Sequence, residues 1–363
     1  MPNVEGCGMS AIVLHACDVL AFIAYKIFVF FYFIIGMSGN IALLVAFHRQ
    51  SKKEGAYFYQ VMLTVSKIGE VFIVTLYFVT FKICSGAEGD GMEWFMKNYT
   101  LMQGAAHVWA PIVGVFIISS LFCSVAMTAD RVFAISKPFV YKNINHRLHR
   151  AVAGIVCFGL SFLINIYDAW RFRIANGGQM VNGTYVVEAY DEFLGSELGM
   201  GLAHLRTTIR LIGVGVLIGC NVAMGVIFRQ RMEKAGQTFS DAKEQQRRAA
   251  DRQLLILTIY QSCLTAFAQI PHSGYFIASY ASASFTRCWG LFFAPIVDGC
   301  MMLADSADFF VIMMINQKMR RTVMKAFPCR YSQPKTVTAS VQILSSMAGG
   351  KRSSAPGKMP AVS

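Results

Sequence analysis

Hydrophobic residues along the chain fall into seven long blocks, at 19–47, 57–81, 105–135, 151–170, 205–228, 254–279 and 291–315, with short polar segments between them. Each block reaches the about 20 residues that a helix needs to cross the hydrocarbon core of a bilayer. Backbone polar groups must be satisfied within each span, so the pattern predicts an all-α fold, a seven-transmembrane helix bundle. After the last block Met319, Val323 and Phe327 recur at helical spacing among Lys and Arg, which predicts a short amphipathic eighth helix over 316–331. Residues 332–363, rich in Ser, Thr, Gly and Pro, read as a disordered tail. The expected organisation is an N-terminal segment 1–18, a bundle 19–315, the amphipathic helix 316–331 and the tail 332–363.

Composition supports the membrane reading. Charged residues make up 15% of the chain, against roughly 25% in soluble domains. The net charge of +13 would suit a nucleic-acid binder, but the bases lie in short stretches between apolar blocks. Arg49, Lys52 and Lys53 follow the first block; Lys137, Lys142, Arg147 and Arg150 follow the third; Arg229, Arg231, Lys234, Lys243, Arg247 and Arg248 follow the fifth. The alternate loops are acidic, with Glu88, Asp90 and Glu93, then Glu188, Asp191, Glu192 and Glu197. The positive-inside rule then predicts the N-terminus outside and the C-terminus in the cytoplasm, and the expected location is the plasma membrane, multi-pass, with lipid rather than nucleic acid around the chain. The sequons Asn98-Tyr99-Thr100 and Asn182-Gly183-Thr184 fall in the loops expected outside, marking a glycoprotein. No Lys or Arg precedes an apolar run in residues 1–18, so the first helix is expected to act as its own insertion signal.

The third block ends on Asp130-Arg131-Val132-Phe133-Ala134-Ile135-Ser136-Lys137-Pro138-Phe139-Val140-Tyr141. An arginine at the inner end of a packed helix needs an anionic partner or water, and can exchange partners when helices move. The stretch resembles the D-R-Y-x-A-I-x-x-P-x-x-Y motif of rhodopsin-like (class A) G-protein-coupled receptors, with Val132 in the tyrosine position. Gly39-Asn40 in the first helix and Pro271 in the sixth fall where that family carries matching landmarks. The resemblance implies a signal-transducing receptor whose ligand shifts it toward coupling with a heterotrimeric G protein, with an arrestin and a receptor kinase as further partners. It implies an activation switch of Asp130, Arg131, Pro138, Tyr141, Gln269, Pro271 and Asp308. Asp251, at the foot of the sixth helix, is expected to face Arg131; the alternative is a solvated charge in a basic loop.

Asp308-Phe309-Phe310-Val311-Ile312 aligns on the family's N-P-x-x-Y, with Asp, Phe and Ile at the three motif positions. Phe309, Gln269 two residues before Pro271, and His107-Val108-Trp109 resemble invertebrate FMRFamide-type neuropeptide receptors, implying a short peptide ligand. A divergent chemosensory receptor for a small molecule is the alternative. Asp298, Arg206, Arg210 and Val113 are the expected ligand-facing positions. Asp298 suits a basic peptide; Arg206 and Arg210 suit an anionic group, or else snorkel or pair with Glu197. Val113 stands where amine receptors carry Asp, and Met302 where opsins carry their retinal lysine, which argues against both classes.

Lys67 aligns with the second-helix Asp that holds sodium in this family. Asp305 and Asp308 supply acids on the last helix, and Asn40 and Ser120 complete an expected polar network. Lys67 then acts as a built-in cation; pairing with Glu70 along its own helix is the alternative. The usual disulfide is missing its partners, since Ala106 stands at the third-helix cysteine and 171–204 holds no Cys. Cys7, Cys17, Cys84 and Cys288 are left facing the oxidising side. Cys329 suits palmitoylation or remains a free thiol. Neither a nucleophile motif nor a metal-ligand cluster is evident, so no enzyme, cofactor or metal is expected. A transporter or channel is the rival from another class, because charges lie inside helices.

Overall fold

The computed structural model describes residues 19–20, 23–52, 55–78, 99–144, 146–174, 187–189, 196–235, 242–281 and 290–326. Asn98, Asn182, Cys329, the tail 332–363 and Cys7, Cys17, Cys84 and Cys288 lie outside them, as does the side chain of Asp251. The chain divides into two units, Met1–Val323 and Met324–Ser363, the second described only over 324–326.

The first unit is a bundle of seven long helices. Helix α1 covers 23–51: π-helical turns Ile23–Phe28 and Tyr32–Gly36 lie either side of the turn Val29–Phe31, and Met37–Ser51 is α-helical. The others are α2 Phe58–Phe78, α3 Tyr99–Ser136, α4 His146–Asn165, α5 Glu197–Ala235, α6 Ala242–Ala281 and α7 Gly290–Ile315. The first six contain spans long and apolar enough to cross a membrane, and α7 has 26 residues. Helix α8, Gln317–Ala326, follows after the single residue Asn316. Asn316 Oδ1 accepts from the Met319 N–H at 3.1 Å, an N-cap that satisfies one orphan donor.

Several bounds differ from the apolar blocks. Helix α6 starts at Ala242, because Ala242-Lys243-Glu244-Gln245-Gln246-Arg247-Arg248 consists of strong helix formers without being apolar. The block at 151–170 divides: α4 stops at Asn165, and Asp168–Arg171 forms a separate turn. Two three-residue strands, β1 Phe172–Ile174 and β2 Val187–Ala189, pair antiparallel beyond it, the one departure from an all-α chain among the described residues.

Helix α3 is central, packing on α2, α4, α5 and α6, while α7 closes the ring against α6 and α1. Val29, Tyr32, Val71, Ile117, Met301 and Met302 form one apolar cluster, to which Val113 adds from its edge. Leu43, Phe47, Leu257, Ile312, Met319 and Val323 form a second, which seats α8. Outward positions stay apolar, with Ile155, Leu163, Ile212 and Val222 all exposed. Such surface would be a liability in water and is the expected face toward lipid. Gly39 lets α1 and α7 approach: a Cβ there would lie 2.8 Å from Phe309 Cβ.

Candidate functional site

Three polar clusters are buried along the bundle. At the inner end of α3, the Arg131 guanidinium lies 3.0 Å from Asp130 Oδ2. Pro138 begins a short turn, Pro138–Lys142, where its missing N–H costs nothing. That turn brings Tyr141 back, and its hydroxyl donates to Asp130 Oδ1 and Oδ2 at 3.2 and 3.1 Å. Burial first, and Asp130 second, push the Tyr141 phenol above its ordinary range, so it remains a donor. Asp130 is thus held between an arginine and a tyrosine, 11 positions apart in sequence from the latter.

The second cluster lies at mid-bundle. Lys67 Nζ on α2 contacts Asp308 Oδ2 at 2.7 Å and Asp305 Oδ1 at 3.4 Å, both on α7. Tyr32 on α1 donates its hydroxyl to Asp305 Oδ2 at 3.2 Å. Asn40 donates to Gly36 O at 2.8 Å and reaches Asp305 O at 3.4 Å, tying α1 to α7. Glu70, one turn from Lys67, turns to Asp305 as well. Ser120 donates to its own helix, to Ile117 O at 2.8 Å, and lines a small cavity with Lys67, Glu70 and Asp305. Gln269 on α6 donates to that same Ile117 carbonyl at 3.2 Å, two residues before Pro271 breaks the ladder of α6. Buried charges in a membrane persist only when paired, and here the pairing joins α2 to α7.

The third cluster lies at the opposite end of the bundle. Arg206 on α5 forms an ion pair with Asp168 Oδ2 at 2.5 Å. Glu197, the acid expected from sequence, is exposed and instead begins α5. One turn on, Arg210 donates to His272 Nδ1 of α6 at 3.2 Å. The Phe276 ring lies 5.3 Å from the Arg206 guanidinium carbon and 5.8 Å from that of Arg210, and Tyr167 lies 5.5 Å from the former. Both arginines are buried, so neither snorkels to water. Asp298 is half-buried on α7, within electrostatic range of Tyr275. Val113 packs against the central apolar cluster.

Asp168, His272, Phe276 and Tyr32 are absent from the site inferred from sequence. An acid at the end of an otherwise apolar block is the signal that could have found Asp168. The described residues contain no group of three or more His, Cys, Asp or Glu able to hold a metal ion.

The bundle thus buries an arginine at one end, a charge cluster joining α2 and α7 at its middle, and a guanidinium–aromatic cluster at the other end. No curated protein matches the chain significantly. A family model described as "Serpentine type 7TM GPCR chemoreceptor Srv" matches residues 21–329, from the start of α1 to just beyond α8. This supports a G-protein-coupled receptor, and with it a ligand and G-protein coupling, in a chemoreceptor family rather than a neuropeptide one. The chain belongs to the Srv family of serpentine seven-transmembrane chemoreceptors.

Proposed function

We propose that this receptor detects a small organic anion at the Arg206–Arg210 end and passes the signal to a heterotrimeric G protein at the Arg131 end. The guanidinium–aromatic cluster carries the reading. Guanidinium forks recognise carboxylates in two-point geometry, and the Phe276 ring offers an apolar face for the rest of the molecule. The ligand end faces outside, and binding favours a state in which α6 moves away from α3 near Arg131. Asp130, Arg131 and Tyr141 act in that switch, and the sequence expectation adds Asp251 to it. Arrestin and receptor-kinase engagement of the tail belong to the same proposal.

A peptide ligand is the second reading, favoured by Gln269 ahead of Pro271 and by Phe309. The experiment is a reporter screen in cells expressing the full chain with promiscuous G proteins. Panels of small carboxylic acids and of short amidated peptides are compared. Acids should activate, and Arg210→Gln should reduce their potency at least tenfold at unchanged surface expression. Full acid potency in Arg210→Gln would remove Arg210 from the site. Activation by peptides alone, weakened by reversing the charge at Asp298, would replace the anion with a basic peptide.

A further inference from the structure

Three carboxyl groups share one ammonium at mid-bundle. Lys67 donates to Asp308 and faces Asp305 Oδ1, while Tyr32 donates to Asp305 Oδ2, so both Asp305 oxygens already face donors. Glu70 brings a third carboxyl, set against Asp305 on the wall of one small cavity. Lys67, Glu70, Asp305 and Asp308 are all 5% exposed or less. An ionised carboxylate only accepts, so a hydrogen bond between two carboxyls needs a proton on one of them. Asp305 is the acceptor for Lys67 and Tyr32, which leaves Glu70 as the carrier.

The surrounding charges agree. The groups facing Glu70 are Lys67 on its own helix, Asp305 on α7, Tyr32 on α1 and, at longer range, Arg210 on α5, while Asp308 on α7 bonds Lys67. Ser120 from α3 and Gln269 from α6 are neutral. With Glu70 protonated, Lys67 faces two carboxylates; with Glu70 ionised it faces three, an extra negative charge inside the membrane. A second observation comes from the cavity lined by Lys67, Glu70, Ser120, Thr265, Gln269 and Asp305. It has room for about one water. Gln269 is 2% exposed, and its Oε1, on that cavity's wall, has no hydrogen-bond partner. It is a buried acceptor placed for a proton-donating guest.

We propose that Glu70 and Asp305 form a binding site for one proton, which locks α2 to α7 and makes the receptor's conformational equilibrium depend on pH. The site exists only while the two helices hold the carboxyls in contact. A movement that separates them removes the shared hydrogen bond, and the proton leaves. Protons therefore bind the arrangement described here more tightly than a separated one, and acidification favours it. One proton per receptor changes that equilibrium by at most about tenfold per pH unit.

The test uses the purified full-length receptor in lipid nanodiscs, with pH as the titrant. Infrared spectroscopy should show the carbonyl stretch of a buried protonated carboxylic acid in the wild type and its loss in Glu70→Gln. The amide keeps the shape and the donor, so this variant should fold. Its melting temperature should be flat where the wild type's rises on acidification. Glu70→Asp, an acid with a shorter reach, should retain less than half of the band. A Glu70→Gln receptor that keeps the band and the wild-type pH slope would overturn the proposal. So would a wild type stabilised by sodium chloride, but not by matched N-methylglucamine chloride, at fixed pH, since the cavity would then hold a metal cation. Neither readout needs a ligand or a G protein, so failure here leaves the proposed function standing, and the reverse.

Discussion

At the scale of single residues, Lys67 decides how the bundle carries charge in the membrane. An isolated charge at the bilayer centre costs about 2.5–3.5 kcal/mol on insertion scales. Removing one member of a buried pair costs about 3–5 kcal/mol, because its partner is left uncompensated. Lys67→Asp places a fourth carboxyl beside Glu70, Asp305 and Asp308 and should sharply reduce surface expression. Adding Asp308→Asn removes one of these and restores an Asp–Asn pair across α2 and α7, so expression should recover and agonist binding should become sodium-sensitive. A Lys67→Asp receptor that expresses and signals normally would show that the ammonium is not what holds the helices. The sequence names Lys67, Asp305 and Asp308 together because charges inside apolar blocks are rare and need partners. It does not assign Glu70, since a lysine one turn away on the same helix is an equally good partner until rotamers are known. Tyr32 is silent for a different reason: a tyrosine in an apolar helix is ordinary, and only the π-helical turn that it opens shows where it faces.

Among the elements, α3 and α6 are joined by hydroxyl groups. Ser124 Oγ and Thr265 Oγ1 are 2.9 Å apart, and Thr128 Oγ1 and Ser262 Oγ are 2.8 Å apart. Thr128 and Ser262 can each donate instead to a carbonyl of their own helix, so neither hydroxyl loses all partners when α6 moves. Interhelical bonds of this kind average about 0.6 kcal/mol in a membrane protein. Loss of both favours separation by about 1 kcal/mol, roughly a fivefold change in the equilibrium. Combining Thr128→Val with Thr265→Val should therefore raise ligand-independent G-protein activation about fivefold at equal surface expression. Unchanged basal activity would mean that α6 keeps these contacts in both states. The seven helices themselves are legible as apolar blocks, whereas their polar ends are not. Helix α6 continues 12 residues before Leu254 on propensity alone, where hydropathy carries no signal. Serines and threonines inside the blocks are visible too, but which helix each one meets depends on rotation about the helix axis. The pairing of Asp168 with Arg206 is hidden likewise, because the two lie 38 positions apart, across the break after α4 and the β1–β2 hairpin.

For the whole molecule, the proposed function needs one orientation: the Arg206–Arg210 cluster toward the outside and Arg131 toward the cytoplasm. The bundle places these at opposite ends, since Arg131 is near the C-terminal end of α3, and Arg206 near the N-terminal end of α5, which runs in the same sense after one return through α4. His107, near the start of α3, meets the Ala169 carbonyl at 2.6 Å, which puts that start at the Asp168 end. Lys137 and Lys142 follow α3, and Arg229 sits toward the far end of α5, so the basic residues gather at the Arg131 end. In sequence Asn98 immediately precedes α3 and Asn182 lies between β1 and β2, so the proposed orientation expects both sequons outside. Positive charge is retained on the cytoplasmic side, and glycosyl transfer acts only on the opposite one, so the two signals can contradict each other and here agree. Treatment of the cell-expressed receptor with an N-glycosidase should collapse its gel mobility to a single faster band. Asn98→Gln combined with Asn182→Gln should give that band without the enzyme, and each single change should give an intermediate one. A sequon engineered between Arg229 and Arg248 should stay unmodified. Glycosylation there, with Asn98 and Asn182 bare, would turn the bundle over and place the guanidinium cluster on the cytoplasmic side, where no external anion could reach it.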